Sequence, residues 1–117
     1  MTFGGARMRV DGQWEIVQSN GFRVVVNISQ NGDVLTVQAT HSGGRVFSKD
    51  PTSGFVRGTH IEMTITWSDG SKGQYNGDLT PNKFALPGFQ LAGETHDLNH
   101  PGSRATWSSE GRDFEPV

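Results

Sequence analysis

His60-IEMTITWSDGSKGQYNGD-Leu79 decides the fold. Ile61, Met63, Ile65 and Trp67 alternate with Glu62, Thr64 and Thr66, the period of a strand with one face in a core. Ser68-Asp69-Gly70-Ser71 is a polar turn, and Lys72 to Leu79 returns with Tyr75 and Leu79 on the inward parity and glycines at 73 and 77. The stretch therefore predicts a β-hairpin whose two faces are assigned. Glycine on the inward face leaves space beside Trp67 or lets strands curl towards closure.

The same pattern extends in both directions. Upstream, strands are predicted at Gln13 to Gln18 (Trp14, Ile16 and Gln18 inward), Phe22 to Ser29 (Phe22, Val24, Val26 and Ile28) and Val34 to His41 (Leu35, Val37, Ala39 and His41). Ser19-Asn20-Gly21 and Asn31-Gly32-Asp33 supply the turns, since Asn and Gly tolerate positive φ. A fourth strand starts at Arg45 after Ser42-Gly43-Gly44. Lys49 to Gly54 interrupts it, and Phe55 to Arg57 either continues it or joins the next strand across a bulge at Gly58.

Downstream, Thr80 to Phe89 reads as the longest loop. Gln90 to Asp97 is a seventh strand with Leu91, Gly93, Thr95 and Asp97 on one face. Leu98 to Gly102 leads to an eighth, Ser103 to Ser108, where Ala105 and Trp107 share a face. Residues 1–11 and 112–117 are expected to be loosely held.

Composition supports this reading. The chain has 117 residues, 32% of them apolar, with sixteen glycines and five prolines. That length suits one domain, and that composition suits short strands and tight turns rather than a helical bundle. No helix-period segment appears. Eight strands joined by short turns predict an all-β fold, an eight-stranded antiparallel up-and-down barrel, with a β-sandwich as the alternative.

Net charge is −2, and the ten basic residues form no run, so nucleic-acid binding and attachment to an anionic membrane lack an electrostatic footprint. There is no cysteine, hence no disulfide or thiolate metal site. No signal-peptide core and no bilayer-length apolar stretch is present, so a cytoplasmic protein and a mature secreted domain both fit. Outward Thr, Glu, Gln and Asn suggest a monomer or a simple homodimer.

In an up-and-down barrel the odd-numbered strands end at one mouth, bringing Gln18, His41, Trp67 and Asp97 together. The even strands begin there and add Phe22, Arg45, Tyr75, Arg104 and Trp107. Trp14, Ile28, Leu35 and Ile61 would seal the opposite end. The expected ligand-binding set is Gln18, Phe22, His41, Trp67, Tyr75, Asp97 and Trp107: apolar surface with a few orienting polar groups, suited to a small organic molecule.

An isomerase or cyclase of the same shape would use His41 or Asp97 to move a proton, and these are the catalytic candidates if the chain is an enzyme. A third reading uses the loops Ser19 to Gly21, Ser68 to Ser71 and Asn99 to Gly102 to bind carbohydrate or protein. His96 and His100 share an i, i+4 spacing that aligns ligands on a helix and not on a strand end, so no metal site is expected there. No sequence signal calls for a cofactor. Asn27-Ile28-Ser29 fits a glycosylation acceptor but falls within a strand.

Several motifs resemble the calycin-type barrels, the avidins and lipocalins. Gly12-Gln13-Trp14 is similar to their Gly-x-Trp opening, Thr64-Ile65-Thr66-Trp67 to the Thr-x-x-Trp strand of avidins, and Gly73-Gln74-Tyr75 to the segment after it. Trp107 with Gly111-Arg112-Asp113-Phe114 looks like their closing segment, at shorter spacing. Avidins grip the biotin ureido group with an Asn two residues after the opening Trp and a Ser four further on. Ile16 and Asn20 stand at those places. The resemblance thus implies the barrel and a central cavity, without the biotin grip.

Overall fold

The computed structural model describes residues 8–41, 47–48, 52–81 and 88–114, and in strand 100–110 the side chain of residue 101 is left out. Eight strands follow in order: β1 Gly12–Gln18, β2 Arg23–Asn31, β3 Val34–His41, β4 Thr52–Arg57, β5 His60–Thr66, β6 Lys72–Pro81, β7 Phe89–Asp97 and β8 His100–Glu110. Each pairs antiparallel with its neighbour in sequence, and β8 pairs with β1 to close the barrel. The up-and-down barrel holds and the sandwich falls, because closure leaves no strand edge unpaired between sheets.

The turns form where Asn-Gly and Asp-Gly chemistry places them. Gly32 and Gly70 adopt φ of 64° and 92°, values that favour glycine. Across the closing seam Glu15 lies directly opposite Glu110. Arg23 from β2 reaches both carboxylates at 3.3 Å and offsets that like-charge pair.

Expectation and structure differ in β4. It begins at Thr52, and Phe47 and Ser48 make only single bridges, to Thr40 and Trp67. Ser48 N–H donates to Ala39 O (2.7 Å) and Ser68 N–H to Phe47 O (2.7 Å), so these two residues stitch the end of β3 to the β5–β6 turn. Phe55 to Arg57 belongs to β4 and precedes the turn at Gly58, so strand parity survives. The expected start at Arg45, with Lys49 to Pro51, lies outside the described residues. β6 and β7 are longer than expected: Thr80 and Pro81 pair with Gln90 and Phe89, leaving residues 82–87 outside the described residues.

Inside, Ile16, Val24, Val26, Val37, Met63, Ile65 and Leu91 fill the middle of the barrel. Each such side chain withdrawn from water contributes about 1.5–3 kcal/mol before conformational entropy is charged. The floor holds Trp14, Ile28, Leu35 and Ile61 as expected, and also Met8, Val10 and Phe114.

Of the ends expected to be loosely held, residues 8–11 and 112–114 are described and bring Met8, Val10 and Phe114 into the core, while residues 1–7 and 115–117 lie outside the described residues. Phe114, 1% exposed, meets Trp14 edge-to-face at 5.1 Å, and the Trp14 indole N–H donates to Val10 O at 2.9 Å. The Gln30 amide holds the lead segment from both sides, accepting from Val10 N–H (2.8 Å) and donating to Met8 O (2.9 Å). Arg112 donates to the Asp11 carbonyl. Amphipathic alternation cannot register such contacts, since they join strand residues to single residues outside any strand.

Candidate functional site

Above this packed middle the barrel opens into a cup of about 310 Å3. Six of the seven expected residues line it: Gln18, Phe22, His41, Trp67, Tyr75 and Asp97. The seventh, Trp107, does not. Its indole lies under Tyr75 (ring centroids 6.1 Å apart, 74° between planes) and over Gly77, where a Cβ would fall 2.6 Å from Cζ2. Its N–H donates to Glu94 O at 3.1 Å. Trp107 has the inward parity but sits one layer below the mouth, so it supports the cup from beneath.

One wall is aromatic. His41 stands edge-on to Trp67 (4.5 Å, 70°) and to Phe22 (5.3 Å, 77°). Trp67 is buried, whereas Phe22 is 55% exposed at the rim. Gly73 makes the fit: a Cβ there would come within 3.0 Å of Tyr75 Cε1 and 3.4 Å of Trp67 Nε1. Burial holds the His41 imidazole below its ordinary pKa, and the Asp69 charge pulls weakly the other way.

Adjoining this wall is a chain of hydrogen bonds. Tyr75 O–H donates to Gln18 Oε1 at 2.7 Å, and Gln18 Nε2 donates to Asn20 Oδ1 at 3.2 Å. Asn20 Oδ1 also accepts from Phe22 N–H at 3.2 Å. Burial pushes the Tyr75 phenol up to about 12, and a hydrogen bond with Thr95 acts against the rise. Tyr75 and Gln18 are only 3% and 9% exposed, so these bonds satisfy groups that would otherwise be costly to bury.

The carboxylates at the rim serve their own turns. Asp97 accepts from Asn99 N–H (2.8 Å) and lies 3.4 Å from His100 Nδ1. The Asn99 hydrogen bond is the main reason its pKa is lowered. Asp69 accepts from Ser71 N–H (2.9 Å) and Ser71 O–H (2.6 Å), which likewise lower its pKa. Arg104, expected at the mouth, lies on the outward parity with Nη1 3.9 Å from Glu94, and still borders the rim. Arg45 lies outside the described residues. Among the described residues no group of three or more His, Asp or Glu side chains is arranged to hold a metal ion.

Asn20 and Thr95 line the cup but were missing from the expected set. Thr95 was detectable, being on the inward parity of β7 and directly opposite Tyr75. Asn20 was assigned to turn formation, and its second role depends on a side chain folding back over the mouth.

Compared with known protein families and curated proteins, the chain matches no family model and no curated sequence.

Proposed function

We propose that this chain is a binding barrel of the calycin type that holds a small apolar or mixed organic molecule in its open mouth. The observation that carries this reading is the convergence, on one cup of about 310 Å3, of the Phe22–His41–Trp67 wall and the Tyr75–Gln18–Asn20 hydrogen-bond chain. The volume is at the small end of ligand pockets, which run from roughly 300 to 1,000 Å3. Because the barrel's middle is filled, the ligand sits shallowly between strand ends and not along the axis.

Trp67 and Phe22 supply contact area, and the polar chain orients what lies on it. Asp97 contributes by holding the Asn99 turn, which in turn donates from Asn99 Nδ2 to Gly70 O (3.2 Å) and ties two mouth loops together. The support for the calycin assignment is the closed eight-strand order together with the Gly12-Gln13-Trp14 opening.

Intrinsic fluorescence against a panel of one- and two-ring metabolites tests the proposal. A saturable response that disappears in Trp67→Phe supports it. A flat response across the panel, or one that survives Trp67→Phe, refutes it.

A further inference from the structure

We infer that the mouth selects ligands whose polar end is a hydrogen-bond acceptor, a carbonyl or comparable oxygen, and that Asn20 sets this preference; this rests on the ligand-binding reading above. The inference follows from the direction in which the polar chain must run. Phe22 N–H is a backbone group and can only donate, so Asn20 must turn its oxygen towards it. That same oxygen faces Gln18, which must therefore present its nitrogen, leaving Gln18 Oε1 to face Tyr75. The phenol then donates its only proton to Gln18, at 2.7 Å.

One backbone N–H thus fixes the orientation of two amides that would otherwise be interchangeable end for end. The consequence is asymmetric. The Asn20 oxygen accepts twice, Gln18 Oε1 accepts from a buried phenol, and the Tyr75 proton is committed. Among the described residues, both N–H bonds of Asn20 and the second N–H of Gln18 have no protein partner, and both residues line the cup. The mouth therefore offers donors to a ligand placed on Trp67, one from the buried Gln18 and two from the exposed Asn20 at the rim.

At the rim Asp69 commits only Oδ1 to its own turn and Asp97 commits Oδ1 to Asn99, so both carboxylates still attract a cation and the preference concerns neutral ligands. A neutral ligand end that only donates would, beside Asn20 and Gln18, meet N–H groups and leave its own unpaired. An unmatched polar group of that kind weakens binding by about tenfold.

The test uses three neutral probes: 2-acetylnaphthalene, which only accepts, 1H-benzo[g]indole, whose N–H only donates, and naphthalene itself. Binding is followed by NMR of the full chain, reading the side-chain amide resonances of Asn20 and Gln18. The acetyl probe should bind about tenfold tighter than the benzoindole, with both amides moving. Asn20→Asp keeps the oxygen that Phe22 N–H and Gln18 need and removes the donors, so the order of the two probes should invert. Equal affinity for all three, or the same order in Asn20→Asp, overturns the inference and leaves the binding site standing. If none of the three binds, the ligand-binding reading fails and takes this inference with it.

Discussion

Phenolate absorbance at high pH reports a single group in this chain, because Tyr75 is the only tyrosine. Its phenol is 3% exposed, and burial lifts its pKa from about 10 to about 12. The unfolded chain releases that proton first, so above pH ~10 the unfolded state is favoured, and the loss levels off once the folded phenol also ionises near 12. The separation corresponds to about 3 kcal/mol of stability lost across that window. Near-ultraviolet phenolate absorbance after a rapid pH jump reads the folded group, and urea unfolding at each pH reads the stability. Lysines titrate in the same range, so the comparison is with Tyr75→Phe, which keeps every lysine and lacks the phenol. The difference between the two stability curves should be flat up to pH ~10 and then narrow in favour of the variant. A native midpoint near 10, or parallel curves, would mean that the phenol is solvated and the Tyr75–Gln18 bond absent.

Four further outcomes follow from the geometry. Both ring nitrogens of His60 contact carboxylates at 3.0 Å, Asp78 on one side and Glu62 on the other, which requires two N–H groups and hence the imidazolium. Burial opposes that charge, but the two hydrogen bonds outweigh it and raise the pKa, so NMR titration should show His60 more basic than His41. Its contribution to stability is fully present below pH ~6.5 and disappears as pH rises through the folded value; His60→Gln should abolish that slope. His41 should titrate below 6.5, so acidification through that value weakens the fold, and His41→Phe should be less acid-sensitive in urea. In Gly93→Ala the new Cβ would fall 1.8 Å from Asn76 O, a clash between β6 and β7 that costs about 3 kcal/mol or more in chemical denaturation. Phe114→Ala removes the floor seal against Trp14 and should cost about 3 kcal/mol, measured the same way; an unchanged midpoint would show that the tail does not close the barrel.

Alternation made the architecture readable from Trp14 to Trp107, because a strand with one buried face must place every second side chain inward. What it could not supply was depth along the barrel. Trp107 and Tyr75 share the inward parity, yet one supports the cup and the other lines it, and the difference arises from β7–β8 register. The packing next to β1 and β8 was hidden for a related reason: Met8, Val10 and Phe114 reach the floor from irregular segments. In the mouth, the aromatic wall was visible as strand-end residues. The hydrogen-bond chain was only half visible, since Asn20 joins it from a turn and its orientation depends on Phe22 N–H.

The three tryptophans give the most direct test of a ligand in the mouth. Trp14 and Trp107 donate their indole N–H to Val10 O and Glu94 O, away from the cup, whereas Trp67 lines it. In a 1H–15N spectrum titrated with any panel compound that binds, the Trp67 indole peak should move saturably while the Trp14 and Trp107 peaks stay in place. Movement of the Trp14 peak alone, or a stationary Trp67 peak at saturation, would contradict a ligand site in the mouth of the barrel.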